Sequence, residues 1–349
     1  MSSNVLGLDI GSYAAKATVL GGVRGRQAKL LGLGLAQLPM DAVLNWEEDP
    51  APAKAAVSRA MRNLVDRCRL PAKHVSTSIS GNSIVLKKVS LPALNDSALE
   101  AAILSAAEQC LPLPLAEVNL SHHVLVRRPG SGGLVVLLAA ARKKVIQNRL
   151  EAVAAARLKP AVIDVDGLAL CNAYDFVNPG HRDNVVLTDI GANKITTIVL
   201  AHGLPVVIKD EPGGGQRLTN EIGERFNLNR FQAEAVKFGA EPASNPGAAA
   251  EAVGRAAADW MAAVERVLEA VRQRAAEYQP SRILLSGGSS LLPGLADEFG
   301  RHFDIETGIF NPLLAAVYSP RKYDPEYLQH VGPQMAVSFG LALRKAEIQ

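Results

Sequence analysis

Two short phrases in this chain carry residue types that could do chemistry. Asp9-Ile10-Gly11 lies inside VLGLDIGSYAAKATVL, and Asp189-Ile190-Gly191 lies inside VVLTDIGANKITTIVL, 180 residues later. Each has an apolar run, an acid and a glycine, then a second apolar run with its own turn, Gly21-Gly22 in the first copy and His202-Gly203 in the second. That pattern predicts a β-hairpin with the glycine near its tip. Glycine there lets backbone N–H groups approach an anion closely, whereas a carboxylate repels phosphate unless a hydrated cation lies between them. The acid therefore points to a magnesium nucleotide, with Asp9 and Asp189 holding the metal through water. A single Asp-Xaa-Gly is usually only a turn. Two copies in matching context predict a duplicated clamp.

Composition excludes several other classes. The 37 basic and 34 acidic residues are spread along 349 positions for a net charge of +3, so no basic block marks a nucleic-acid surface. Aromatic content of 5% also leaves few side chains on which bases could stack. Cys68, Cys110 and Cys171 are odd in number and far apart, which fits reduced thiols better than disulfides or zinc ligands. His122 and His123 are adjacent in an apparent strand and so point to opposite faces, and none of the histidines has metal-ligand spacing. The longest apolar run, 134–141, is far short of a bilayer span, and MSSNVLGLDIG enters its first strand too soon for a signal peptide. The expectation is a cytoplasmic protein with no membrane anchor of its own, long enough for two domains or one two-lobed domain.

The elements that must position the two hairpins follow from periodicity. Residues 5–37 read as three strands, and 52–68 as an amphipathic helix with Val57, Met61, Leu64, Val65 and Cys68 on one face. From 74 to 161 the texture is that of a β-α-β-β-α insertion, with Ser97 and Glu100 fitting a capping box, Arg127 to Gly133 an exposed hairpin loop and 143–158 a helix. After the second hairpin, Gly213-Gly214-Gly215 precedes a helix opening near Leu218, a geometry that can bind an anion. A short helix over 231–238 puts Glu234 and Lys237 on one face. A long helix over 248–278 buries Val253, Ala257, Met261, Val264, Leu268, Val271 and Ala275. RILLSGGSSLLPGLADEF is strand, Gly287-Gly288 turn and helix, and 334–344 reads as a closing helix.

Hairpin, connecting helix, second hairpin, GGG-helix, AEAVK helix and strand-GG-helix, in that order, resemble the superfamily of actin, heat-shock chaperones and sugar kinases over the full length. The place of the insertion resembles that in FtsA. The phrases LGLDIGSYAAKATVL, CLPLPLAEVNL, LTDIGANKITTIVL, GGGQRLTNEIGERF, FQAEAVKFG, ILLSGGSSLLPGL and AVSFGLALR resemble the PilM family of type IV pilus assembly. The resemblance implies an α/β, actin-like (ribonuclease H-like, duplicated), two-lobed ATP-binding fold with an FtsA-type β-α-β-β-α insertion. The implied domains are a first subdomain, 1–72 with 162–184 and 311–349, an insertion, 73–161, and a second lobe, 185–310.

The same resemblance implies that Asp9, Gly11, Ser12, Tyr13 and Lys16 lie at the first phosphate loop and Asp189, Gly191, Ala192 and Asn193 at the second. Gly214, Gly215, Glu234 and Lys237 would line the ribose and adenine side, and Gly287, Gly288 and Ser289 would close over the adenosine. The hydroxyls common in such loops are replaced here by Tyr13, Ala14 and Ala15 in one and by Ala192, Asn193 and Lys194 in the other. Backbone N–H groups can still hold phosphate. Hydrolysis needs a residue that orients water, and the sequence identifies none, so ATP binding with slow or absent turnover is expected. The implied partner is the N-terminal cytoplasmic peptide of PilN, with self-association into a ring, contact with the pilus motor ATPases, and a place at the inner membrane only through partners. An FtsA-like division scaffold would carry a C-terminal amphipathic helix beyond RKAEIQ, and a type II secretion cytoplasmic domain would continue into a membrane span. A small-molecule kinase would need a general base and larger substrate lobes.

Overall fold

The computed structural model describes residues 4–25, 27–39, 50–81, 84–127 and 132–344. Two five-stranded sheets follow one plan. In the first, β1 (Val5–Ile10), β2 (Ala14–Arg24) and β3 (Gln27–Gln37) form an antiparallel meander, and β4 (His74–Ile79) and β8 (Lys159–Val165) extend it in the order β3-β2-β1-β4-β8. In the second, β9 (Val185–Ile190), β10 (Lys194–Ala201) and β11 (Leu204–Pro212) form the meander, and β12 (Arg282–Ser286) and β13 (Glu306–Ile309) complete the order β11-β10-β9-β12-β13. β1 pairs in parallel with β4, and β9 with β12. Each acid–glycine phrase thus closes the central strand of its own sheet. Central strands are covered on both faces, which is why their sequences are apolar runs rather than alternations: Leu6, Leu8, Val185 and Val186 are fully buried.

The turns differ in detail from the sequence expectation. His202 and Gly203 both have positive φ and join β10 to β11 as predicted. Gly21 and Gly22 instead lie within β2, which runs on to Arg24.

Helices fill both faces of the sheets. α1 (Pro50–Arg67) buries Val57, Met61 and Leu64. α4 (Asp166–Val177) and the closing α8 (Ala336–Ala342) pack together against the first sheet. The contact is too close for side chains: a Cβ on Gly7 of β1 would sit 2.0 Å from the Ser338 carbonyl oxygen, and one on Gly340 would sit 1.8 Å from that of Ala169. On the second sheet, α7 (Pro246–Arg272) is started by Asn245, whose side chain accepts from the Ala248 N–H, with Pro246 in its first turn. It buries Ala257, Trp260, Met261, Val264, Leu268 and Val271 with Val186, Val199 and Ile283, and it ends six residues earlier than its periodicity predicted. The closing helix is also shorter than 334–344, because Gly332–Met335 is a 3-10 turn.

Ile79–Ala152 forms a compact unit of its own. β5 (Ile84–Leu91), β6 (Val118–Arg127) and β7 (Leu134–Arg142) make an antiparallel sheet in the order β5-β7-β6. α2 (Asp96–Cys110) packs Leu99, Ile103 and Ala107 on Leu134, Val136 and Leu138, and α3 (Lys143–Ala155) follows β7. The unit is narrower than 73–161 because β4 and β8 are paired into the first sheet. The cap of α2 is Asn95, whose side chain accepts from the Ala98 N–H. The Ser97 side chain and residues 128–131 of the predicted hairpin loop lie outside the described residues. No described helix is long and apolar enough to cross a membrane.

Candidate functional site

The two acid–glycine turns are built alike. The Gly11 N–H donates to the Ala14 carbonyl at 3.2 Å, and the Gly191 N–H donates to the Lys194 carbonyl at 2.9 Å. Asp9 and Asp189 are therefore equivalent, Lys194 stands where Ala14 stands, and Thr196 stands where Lys16 stands. The register agrees, with Asp9 opposite Lys16 and Asp189 opposite Thr196.

Both turns contribute to one cluster of charge. Lys16 Nζ donates to Asp9 Oδ2 at 2.8 Å, with side-chain exposures of only 19% and 8%. Burial pulls the Lys16 ammonium down, but the Asp9 and Asp189 carboxylates outweigh it and hold its pKa above the ordinary lysine value. Asp189 has no lysine of its own; its Oδ2 accepts from the Ser286 hydroxyl at 2.9 Å. Burial pushes its carboxyl up, with Lys16 opposing and Asp9 adding. Lys194 Nζ donates to Asp166 Oδ2 at 2.7 Å and lies 3.8 Å from Asp210 Oδ1, which also accepts from the Thr196 hydroxyl at 2.6 Å. Against the pull of burial, Asp166 and Asp210 hold the Lys194 pKa well above the ordinary lysine value.

The cluster fits the group the sequence predicts. Four carboxylates, Asp9, Asp166, Asp189 and Asp210, lie about the ammoniums of Lys16 and Lys194, an acidic setting that suits a cation. Among the described residues no three His, Cys, Asp or Glu side chains form a direct metal shell. A magnesium ion at Asp9 and Asp189 would thus keep its waters between itself and the carboxylates.

Both glycine turns press on the second hairpin. A Cβ on Gly214 (φ 118°) would lie 2.5 Å from the Gly191 carbonyl oxygen, and one on Gly287 (φ 85°) 2.5 Å from that of Ile190. Neither position admits a side chain. The Gly191 carbonyl accepts from the Gly215 N–H at 2.9 Å and the Ser289 hydroxyl at 3.2 Å; Ala192 accepts from the Gln216 N–H at 2.8 Å and Asn193 from the Gly213 N–H at 3.2 Å. α5 (Gly215–Phe226) accordingly begins earlier than Leu218, and its first two N–H groups are spent on loop carbonyls instead of lying open to an anion. The triple glycine splints the second loop.

The predicted nucleoside side divides. α6 (Arg230–Lys237) starts in a capping box between Asn229 and Gln232. Lys237, 4% exposed, donates to the Gly215 carbonyl at 3.1 Å, Thr219 Oγ1 at 3.2 Å and Glu234 Oε1 at 3.3 Å, while the Thr219 hydroxyl also bonds Glu234. All three ammonium protons are used inside the protein, and burial lowers its pKa. Ser289 is likewise buried and spent on Gly191. Lys237 and Ser289, read from the sequence as lining residues, thus pin the glycine turns in place. Glu234 is partly exposed, and open space lies beyond the Cα of Gly288.

Sequence reasoning missed three participants. Asp166 follows Asp164 at a strand–helix junction in DVDGLAL, and Asp210 precedes Glu211 near the end of β11. Arg230 lies with its guanidinium 4.4 Å from the Tyr13 ring centroid, joining the first turn to α6. Burial, followed by Glu234, pushes the Tyr13 hydroxyl up. Arg230 also borders a cavity of about 280 Å³ lined by Thr219, Asn220, Gly223, Glu224 and Leu228.

A family model described as type IV pilus assembly protein PilM matches residues 7–346. Among solved structures, a chain of a PilM-PilN type IV pilus biogenesis complex is 26% identical, with a TM-score of 0.85 over 99% of both chains. The ethanolamine utilization protein EutJ from Carboxydothermus hydrogenoformans is 16% identical, with a TM-score of 0.52 over 97% of this chain and 88% of that one, a likeness of fold alone. The repeated sheet order and these likenesses make the fold actin-like.

Proposed function

The chain belongs to the family of type IV pilus assembly protein PilM, and from that premise we propose that it is an ATP-binding cytoplasmic scaffold of the inner-membrane pilus assembly complex. The observation that carries nucleotide binding is the convergence of the two hairpins: Lys16 pairs with Asp9 and lies in the field of Asp189. Magnesium ATP would span the two loops, with the metal held through water by Asp9 and Asp189. Ser12, Ala192 and Asn193 would offer backbone N–H groups to the phosphates, Gly11 and Gly191 would shape the turns that present them, and Gly214, Gly215, Glu234, Gly287 and Gly288 would flank the nucleoside. Turnover is slow or absent, since hydrolysis needs a residue that orients water and the sequence identifies none.

The proposed partner is the N-terminal cytoplasmic peptide of a PilN protein, a reading supported by the likeness to a PilM-PilN complex chain. Closure of the lobes on ATP would set the shape that grips the peptide, and the partner would bring the protein to the membrane, between the motor ATPases and the envelope alignment complex, as part of a ring. A pull-down with that peptide, run with nucleotide-free and ATP-loaded protein, tests this directly. Retention in either state supports the scaffold, and failure in both removes it. Phosphate release from ATP by the protein alone should be near background; rapid release would point instead to an enzyme.

A further inference from the structure

We propose that the end of the first sheet farthest from its acid–glycine turn is a basic face that docks on an anionic phospholipid surface; this rests on the reading above that the protein works at the membrane. Strand pairing builds the face. Val5 of β1 lies opposite Leu20 of β2 and His74 of β4, Leu20 lies opposite Leu30 of β3, and the Lys159 N–H of β8 donates to the Lys73 carbonyl at 2.9 Å. Arg24 at the end of β2, Lys29 in β3, Lys73 just before β4 and Lys159 at the start of β8 are all exposed. They stand along one end of the sheet in a row about 20 Å long, the width of five strands. The acids lie at the other end, with Asp9 near the close of β1 and Asp166 just past β8.

Two helix ends add to the row. α1 and α3 finish alike: the Leu70 N–H donates to the Val65 carbonyl at 3.1 Å and the Leu158 N–H to that of Val153 at 3.2 Å, and Arg62 reaches from α1 to the Ala155 carbonyl. The residue before each leucine is an exposed arginine with positive φ, Arg69 at 46° and Arg157 at 64°. Glycine or asparagine is usual there, because it takes this backbone with little strain. A cation at a helix C-terminus complements the helix dipole, which leaves Arg24, Lys29, Lys73 and Lys159 unaccounted for. Over 22–29, 62–73 and 155–160 the one acid is Asp66, and there is no Phe, Trp or Tyr on which bases would stack. The cations come from three separate stretches of sequence, so only the fold makes them a face. A row of this length outreaches a single small anion and suits an extended array of phosphates. Lipid head groups supply one, and each Lys or Arg near an anionic leaflet adds several-fold to the affinity. Docking by this end leaves the carboxylate cluster turned away from the lipid.

The test is co-sedimentation of the full-length protein with vesicles of phosphatidylglycerol and phosphatidylethanolamine, with phosphatidylcholine vesicles as the uncharged control. Wild type should bind only the anionic vesicles, and less as salt rises. Arg69→Asn with Arg157→Asn should bind about tenfold more weakly and melt no lower than wild type, since asparagine suits positive φ. Arg69→Lys with Arg157→Lys keeps the charge and should stay within about threefold of wild type. Lys73→Gln with Lys159→Gln should also lose about tenfold, and it keeps the test open if the asparagine pair fails to fold. Arg272→Gln with Arg274→Gln removes the same charge from exposed positions at the end of α7 and should change nothing. The proposal is overturned by no binding to anionic vesicles, by equal binding to neutral ones, by an equal loss in the Arg272 and Arg274 variant, or by no loss in both the asparagine and glutamine pairs. Tighter capture of single- or double-stranded DNA than of vesicles assigns the face to nucleic acid and overturns it as well. Failure of the peptide pull-down with vesicle binding intact removes the scaffold reading and leaves the lipid contact standing.

Discussion

The two acid–glycine hairpins share a sheet position, a turn and a carboxylate, yet they are neutralised in opposite ways. In the first, Asp9 is paired across the hairpin with Lys16 at 2.8 Å, a local and self-contained bond. In the second, Asp189 faces Thr196 across the hairpin, takes a hydroxyl from Ser286 of another strand, and leaves Lys194 to Asp166 and Asp210. One loop is balanced within itself; the other is held by its surroundings. The first should contribute to stability, whereas the second stores an electrostatic cost that a bound cation would relieve.

The largest effect that could break this contrast is on folding. Asp9→Ala would strand a mostly buried Lys16 ammonium and is expected to cost about 3 kcal/mol in urea unfolding; a change below about 1 kcal/mol would make the pair an ordinary surface one. Asp189→Asn should do the reverse to the protein without nucleotide. Burial raises the Asp189 pKa, so the folded state binds this proton more readily than the unfolded chain. Wild-type stability therefore gains from this group as pH falls from its raised value towards the ordinary carboxylate value of about 3.9. The asparagine variant should melt no lower than wild type at pH 7 and lose that acid-side gain, yet bind magnesium ATP about tenfold more weakly, a penalty of about 1.4 kcal/mol. A lowered melting temperature at neutral pH would place Asp189 with Asp9 as a stabilising partner.

Smaller effects sharpen the picture. The Lys16 and Lys194 pKa values are raised, so their ion pairs contribute fully below the ordinary lysine value of about 10.4 and are lost as pH rises through the raised folded values. Denaturant midpoints from pH 9 to the alkaline limit should fall less steeply in Lys194→Met than in wild type; equal slopes would mean that Lys194 makes no stabilising pair. Tyr13→Ala should cost least, about 1 kcal/mol or less in stability, through its stacking with Arg230. Tyr13→Phe should retain most of that stacking, since the ring and not the hydroxyl makes the contact.

Both hairpins were legible in the sequence because a strand buried on both faces must be written as an apolar run, and an acid followed by glycine interrupts that run where a turn begins. Reading the two phrases as copies predicted a duplicated clamp, whereas the order of strands in each sheet came only from the structure. What the sequence did not display was non-local pairing. β4 and β8 have the same local texture as the strands of Ile79–Ala152, and only their hydrogen bonds to neighbours assign them to the first sheet. Asp166 and Asp210 carry no motif, since an acid near a strand end looks the same whether it meets solvent or Lys194. The Glu234–Lys237 pair was visible by spacing, but i and i+3 positions on a helix do not reveal that the lysine is buried beneath the glycine turn.

Isothermal titration of magnesium ATP into the full-length wild type and Asp189→Asn proteins tests the central claim most directly. The clamp predicts saturable binding of one nucleotide per wild-type chain and a clear weakening in the variant, whose fold is retained. Absence of binding at millimolar nucleotide, or identical affinity in the two proteins, would contradict it.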